Sequence, residues 1–122
     1  MKIKQLDHVA VHVTDLTASI SFYQNVLQLE PLPRPNFDFA GAWFRLGTTQ
    51  ELHLIAGRSE DVNSARRGNH FALQVDDADV WEKHVKANHV EYIHKLRPDG
   101  AQQIFFQDPD GYWIELCCLT NA

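Results

Sequence analysis

Four side chains with metal-binding or proton-transfer capacity recur at one fixed spacing. His8 and His70 lie 62 residues apart, and so do His53 and Glu115. Three imidazoles and one carboxylate form an N₃O donor set of the kind that holds a divalent ion such as Zn, Ni, Co, Mn or Fe. Glu115 sits in WIELCC, where a carboxylate among apolar neighbours is costly to bury unless something pairs with it. A metal ion would supply that pairing. A single histidine in a strand is more often an ordinary core or surface residue. These four rise above that alternative because they occupy two pairs of equivalent positions.

Other polar and aromatic residues are weaker candidates. His12 shares a strand face with His8 and could support the site or simply be a rim histidine. Arg34 and Arg45 could hold an anionic group of a substrate, against the alternative of surface ion pairs. Trp43, Phe105 and Trp113 could line a pocket, although aromatics in strands are usually core. His84, His89 and His94 read as solvated, and the one basic pair, Arg66–Arg67, reads as a solvated loop.

The elements that must position these residues repeat with them. DHVAVHVTD (7–15) and NHFALQVDD (69–77) share His, Ala, Val and Asp at matching places, and Phe44 and Leu54 fall on Phe106 and Leu116 under the same shift. HVAVHV (8–13) alternates with the strand period, with Val9, Val11 and Val13 on one face and His8, Ala10 and His12 on the other. Thr14 or Asp15 can cap a helix whose stripe is Leu16, Ile20, Tyr23 and Leu27. PLPRPNFD is too proline-rich for a central strand and predicts a loop or an edge. GAWFRLG (41–47) and QELHLIA (50–56) complete the first half as two strands.

The second half answers with HFALQV (70–75), a helix over about 78–88 carried by Val80, Trp81 and Val85, and a short strand near 90–95. QQIFFQ (102–107) and YWIELCC (112–118) follow. DPDG (108–111) and RPDG (97–100) have the form of type I turns. The polar, aperiodic stretch 57–68 is the natural connector. The reading is a single α+β domain, 1–122. Its two βαβββ modules (1–56 and 69–118) form a curved mixed sheet around a central cleft, with helices outside. On the strands facing that cleft, His8, His53, His70 and Glu115 could converge.

Size and charge narrow the classes. At 122 residues the chain suits one compact domain. Its net charge of -5 and lack of a basic patch argue against nucleic acid. No apolar run approaches the roughly 20 residues of a membrane span, and MKIKQLDH lacks a signal-peptide core. Cys117 and Cys118, adjacent in a strand, point to opposite faces and offer no disulfide framework, so a reducing cytoplasm is the simplest compartment.

LDHVAVHVTD (6–15), FYQNVLQLE (22–30), ELHLI (51–55), NHFALQVDD (69–77) and FFQDPDGYWIEL (105–116) together resemble the vicinal oxygen chelate superfamily. That superfamily includes glyoxalases, bleomycin-binding proteins and extradiol dioxygenases. RPNFDFAGAWF (34–44) is similar to its glyoxalase-like branch. The resemblance implies paired modules, a divalent metal ion held by His8, His53, His70 and Glu115, and a homodimer that shares sites between chains. In glyoxalase I the position of His53 is typically a glutamate, so His53 is a departure.

The implied activity is that of a metal-dependent lyase or isomerase. Its substrate would be small, with adjacent oxygens, such as a thiol adduct, and Glu115 would serve as general base. One alternative keeps only His8, His70 and Glu115, as in a thiol transferase or a non-haem iron dioxygenase. Another is a metal-free protein that binds a small molecule such as an antibiotic, with Trp43, Phe105 and Trp113 lining the groove.

Overall fold

A computed structural model describes residues 1–120. These form two compact units, one ending at Glu60 and the next beginning at Asp61. Unit one runs β1 (His8–Val13), α1 (Leu16–Asn25), β2 (Pro31–Leu32), β3 (Gly41–Leu46) and β4 (Gln50–Ala56). Unit two repeats the order with β5 (Phe71–Gln74), α2 (Ala78–Ala87), β6 (Tyr92–Leu96), β7 (Gln102–Gln107) and β8 (Trp113–Cys118). The sheets have matching orders, β1-β4-β3-β2 and β5-β8-β7-β6. In each, the first strand pairs in parallel with the last and the other pairings are antiparallel. The fold is therefore α+β, built from two βαβββ modules.

The strand alternation fixes the faces. Val11 and Val13 are buried with Phe44, Leu46, Leu52 and Leu54, while His8, Ala10 and His12 are exposed on the opposite side. Each fully buried Phe or Leu contributes about 1.5–3 kcal/mol, so the valine face, not the histidine face, holds the strand in place. Asp15 caps α1, its carboxylate accepting from the Ala18 amide at 3.1 Å. Asp77 caps α2 in the same way through the Val80 amide, also at 3.1 Å. Both turns form as expected. Gly111 donates to the Asp108 carbonyl and Gly100 to the Arg97 carbonyl, and both glycines have positive φ, near +94° and +92°.

Three local details depart from the sequence reading, in α1, at Leu27 and in α2. In α1 the buried helix residues are Ser19 and Tyr23, while Leu16 and Ile20 are half-buried. Leu27 is buried, but it lies beyond the last turn, because the Val26 amide closes the helix onto the Phe22 carbonyl. In α2, Val80 is 61% exposed. The buried pair Ala78 and Val85 are seven residues apart on one face, and Val80 sits about 200° away from Ala78. PLPRPNFD is, as expected, mostly loop with a two-residue edge strand, where Pro31 costs no central ladder bond.

Candidate metal and substrate site

The repeat persists in the pairing register. Ala10 lies opposite His53 on the parallel side and Trp43 opposite it on the antiparallel side. Ala72 and Phe105 flank Glu115 in the same way. A small residue on one side and an aromatic wall on the other thus frame each central donor. The small side leaves space for a side chain from the neighbouring strand to lean across.

In module one that side chain is His8. Its ring stacks on His53 with centroids 4.2 Å apart, and Trp43 stacks on His53 at 4.0 Å, with the planes within 3°. Because β4 lies between β1 and β3, the His53 ring is enclosed between the other two. Its side chain is only 13% exposed. The ring edge is also engaged, since His53 Nε2 lies 2.9 Å from Glu51 Oε1. His8 Nδ1 lies 2.8 Å from Asp7 Oδ2. A carboxylate only accepts, so each contact places the imidazole proton on the nitrogen that faces it.

In module two His70 sits one residue before β5, so its backbone is outside the ladder but its ring reaches Glu115. His70 Nε2 is 3.1 Å from Glu115 Oε1, and Gln103 Nε2 donates to Glu115 Oε2, also at 3.1 Å. The Glu115 side chain is 7% exposed. With the Cys117 thiol, these partners hydrogen-bond the carboxylate without bringing a permanent opposite charge. The His70 ring meets Phe105 edge to face, with centroids 6.0 Å apart.

The four candidate ligands are thus brought together as two pairs, one within each module. Among the described residues no three His, Cys, Asp or Glu side chains cluster as a metal site. Glu51, which sequence reasoning passed over, was detectable: it precedes His53 by two residues and so shares its strand face.

The stretch 57–68 is more than a connector. Ser64 Oγ donates to the Asn69 carbonyl and accepts from the Trp113 amide, tying the segment to β8. Arg66 is thereby laid over the rings of Phe105 and Trp113, at 5.9 and 5.8 Å. Arg66 and Arg67, read from sequence as a solvated pair, line a cavity of about 430 Å³ with Lys95, Gln103, His70 and Glu115. A hollow of about 460 Å³ at Tyr92, Ile93 and Trp113 is slightly larger, but Glu91 is the one carboxylate in it and it holds no imidazole.

The remaining candidates are placed as follows. Arg34 donates to the Phe39 carbonyl at 2.8 Å and lies over the rings of Phe37 and Phe39, within its own loop. Arg45 is in register with Glu51 on the face that carries His53. His12 is exposed beside His8 on β1. Cys117 follows Glu115 on the same face; burial pushes its thiol pKa up, and Arg97 lies 3.7 Å from its sulfur.

His94, expected to be solvated, is instead half-buried in a network on the helix side of module two. It pairs through Nδ1 with Glu82 of α2, and through Nε2 with Gln102 of β7 at 2.8 Å. The Tyr92 hydroxyl also donates to Glu82, at 2.9 Å. Burial alone would depress the His94 pKa, but the bonds to Glu82 and Gln102 outweigh it and raise the value. The same contacts, His94 first and Tyr92 next, hold Glu82 below its ordinary range.

Against known proteins, the profile of the Glyoxalase/Bleomycin resistance protein/Dioxygenase superfamily matches residues 5–116. A lactoylglutathione lyase of Salmonella typhimurium is 34% identical, covering 97% of this chain and 95% of its own length. Glyoxylase I 4 of Arabidopsis thaliana is 31% identical over 96% of this chain and 72% of that protein. A metallothiol transferase FosB of Staphylococcus epidermidis is 32% identical, over 95% and 82% respectively. Among solved structures, the fosfomycin resistance protein FosX of Listeria monocytogenes superposes with a TM-score of 0.81 at 25% identity, covering 98% of this chain and 95% of that one. That structure, of an E126Q mutant, was determined with Mn(II) and a dihydroxypropylphosphonic acid. The chain belongs to the Glyoxalase/Bleomycin resistance protein/Dioxygenase superfamily. No helix of the described residues is long and apolar enough to cross a membrane.

Proposed function

We propose that this chain is a metal-dependent lyase or isomerase of glyoxalase type, acting on a small substrate with adjacent oxygens, such as a thiol adduct. The observation that carries this reading is the duplicated pairing of donors, His8 with His53 and His70 with Glu115, in which His53 and Glu115 hold matching register positions opposite Ala10 and Ala72. The donor set fits a divalent ion: Glu115 is a buried carboxylate whose hydrogen-bonding partners, His70, Gln103 and the Cys117 thiol, bring no permanent positive charge. In this reading His8, His53, His70 and Glu115 are its ligands, completed between copies of a homodimer. When bound, the ion supplies Lewis acidity toward the two substrate oxygens.

The chain's own residues do the rest. Glu115 takes and returns the substrate proton through Oε1, the oxygen that faces His70 Nε2. Gln103 keeps Oε2 fixed, so that proton transfer is confined to one oxygen. Phe105 and Trp43 wall the two pairs and limit water access. Arg66, held over two aromatic rings, and Lys95 favour a substrate that also carries negative charge.

The test is turnover of hemithioacetals of glutathione and other thiols by protein loaded with Ni, Co, Zn or Mn; no activity with any ion refutes the reading. A second reading, thiol transfer with His8, His70 and Glu115 alone, is favoured by the enclosure of His53 between Trp43, His8 and Glu51. His53→Ala separates the two, since metal affinity survives only if His53 is not a ligand.

A further inference from the structure

We infer that Glu51 is the positioning residue for His53, fixing its tautomer so that Nε2 carries the proton and Nδ1 the lone pair. Three observations converge on this assignment. Glu51 and His53 are alternate residues of β4, so both project from one face. Glu51 Oε1 stands 2.9 Å from His53 Nε2, and a carboxylate at that distance can only accept. The ring cannot rotate away, because Trp43 and His8 stack on it at 4.0 and 4.2 Å. Two stacked rings restrain the imidazole plane, and Glu51 sets which nitrogen points where.

The equivalent position in module two shows what is particular to module one. The residue two before Glu115 is Trp113, an aromatic with no acceptor. The second pair is therefore closed by Glu115 itself, which accepts from His70. Module one has an imidazole at the central position and adds a carboxylate behind it. Histidine ligands commonly donate their second N–H to a carboxylate, which fixes ring orientation and raises the basicity of the other nitrogen. Glu51 occupies that place for His53, leaving Nδ1 as the nitrogen able to bind a metal. The consequence for metal binding rests on the function proposed above; the tautomer assignment does not.

The experiment has two arms on the full chain. In the metal-free protein, long-range ¹H–¹⁵N correlation spectra of the His53 ring are expected to show Nε2 protonated and Nδ1 unprotonated. Glu51→Ala should shift the ring toward a mixture of tautomers. Glu51→Gln, whose amide oxygen can accept the same bond, should restore the wild-type pattern. In the second arm, Co(II) or Ni(II) titration should give a dissociation constant ten- to a hundred-fold weaker for Glu51→Ala than for wild type, the usual cost of losing such a partner, with Glu51→Gln in between.

A His53 protonated at Nδ1 in wild type, or a spectrum unchanged in Glu51→Ala, overturns the assignment. An altered spectrum with unaltered metal affinity overturns the positioning role. Should wild type bind neither ion, the functional reading fails, and the spectrum alone decides the tautomer.

Discussion

Replacing Glu115 with leucine separates a residue kept for chemistry from one kept for stability. Glu115 is almost fully buried between apolar neighbours in WIELCC, with Phe105 opposite it in the ladder. Burying a leucine side chain there gains about 1.5–3 kcal/mol relative to water. Against this stand the lost hydrogen bonds from His70 and Gln103, worth about 1.5–3 kcal/mol each because the acceptor is a carboxylate. His70 keeps partial access to water, since 23% of its side chain is exposed, so its freed N–H can be solvated. Desolvation of the carboxylate is relieved as well, a further gain for the variant.

The terms nearly cancel, leaving the metal-free Glu115→Leu protein within about 1 kcal/mol of wild type. For a chain of this size that is a change of about 4 °C in melting temperature. Calorimetry of the chelator-treated proteins is the assay, with metal titration in parallel. A melting point held within that range while metal affinity collapses is the expected result. A fall of more than about 10 °C would refute the reasoning, because Glu115 would then be a structural residue whose hydrogen bonds outweigh its burial.

Three further outcomes are expected. The Glu82–His94 pair should stabilise module two only in a limited pH window. His94 has a raised folded pKa, so its contribution is fully present below the ordinary value of 6.5 and is lost as pH rises through the folded value. Glu82 has a lowered pKa, so its contribution is present above 4.5 and is lost as pH falls. The stability deficit of His94→Ala in urea should therefore be largest between about pH 4.5 and 6.5, and should shrink on either side. Gly41→Ala should cost about 1–3 kcal/mol in the same assay, because its new Cβ would stand 2.3 Å from the Leu54 carbonyl oxygen in the adjacent strand. Arg66→Ala should raise KM for an anionic substrate while moving kcat little, and equal KM for charged and neutral substrates in wild type would contradict the anion-binding role.

The sheets were legible because strand alternation is written directly in residue types. HVAVHV and WIELCC each give one apolar face and one face of donors, and a shift of 62 residues carries the first onto HFALQV (70–75) and the second onto ELHLIA (51–56). The cap of α1, read as Thr14 or Asp15, was legible for the same local reason, and Asp77 holds the matching place before α2. What alternation cannot supply is the cover on a face. Val80 looked like a core residue by type, yet the helix phase turns it outward. His94 looked solvated by type, yet Glu82 arrives over it from α2, twelve residues earlier. Arg66 and Arg67 carried no periodic signal, and their position depends on Ser64 tying the loop to the Trp113 amide. Glu51 stood in plain view beside His53; its role emerged only from the 2.9 Å contact.

In the proposed function His8, His53, His70 and Glu115 together bind one divalent metal ion. The most direct measurement is metal content per chain by elemental analysis after reconstitution, for wild type and for His8→Ala, His53→Ala, His70→Ala and Glu115→Gln. The expected result is one ion per chain in wild type and a large loss of affinity in each of the four variants. Wild-type protein that binds no metal, or variants in both modules that bind it undiminished, would contradict the account.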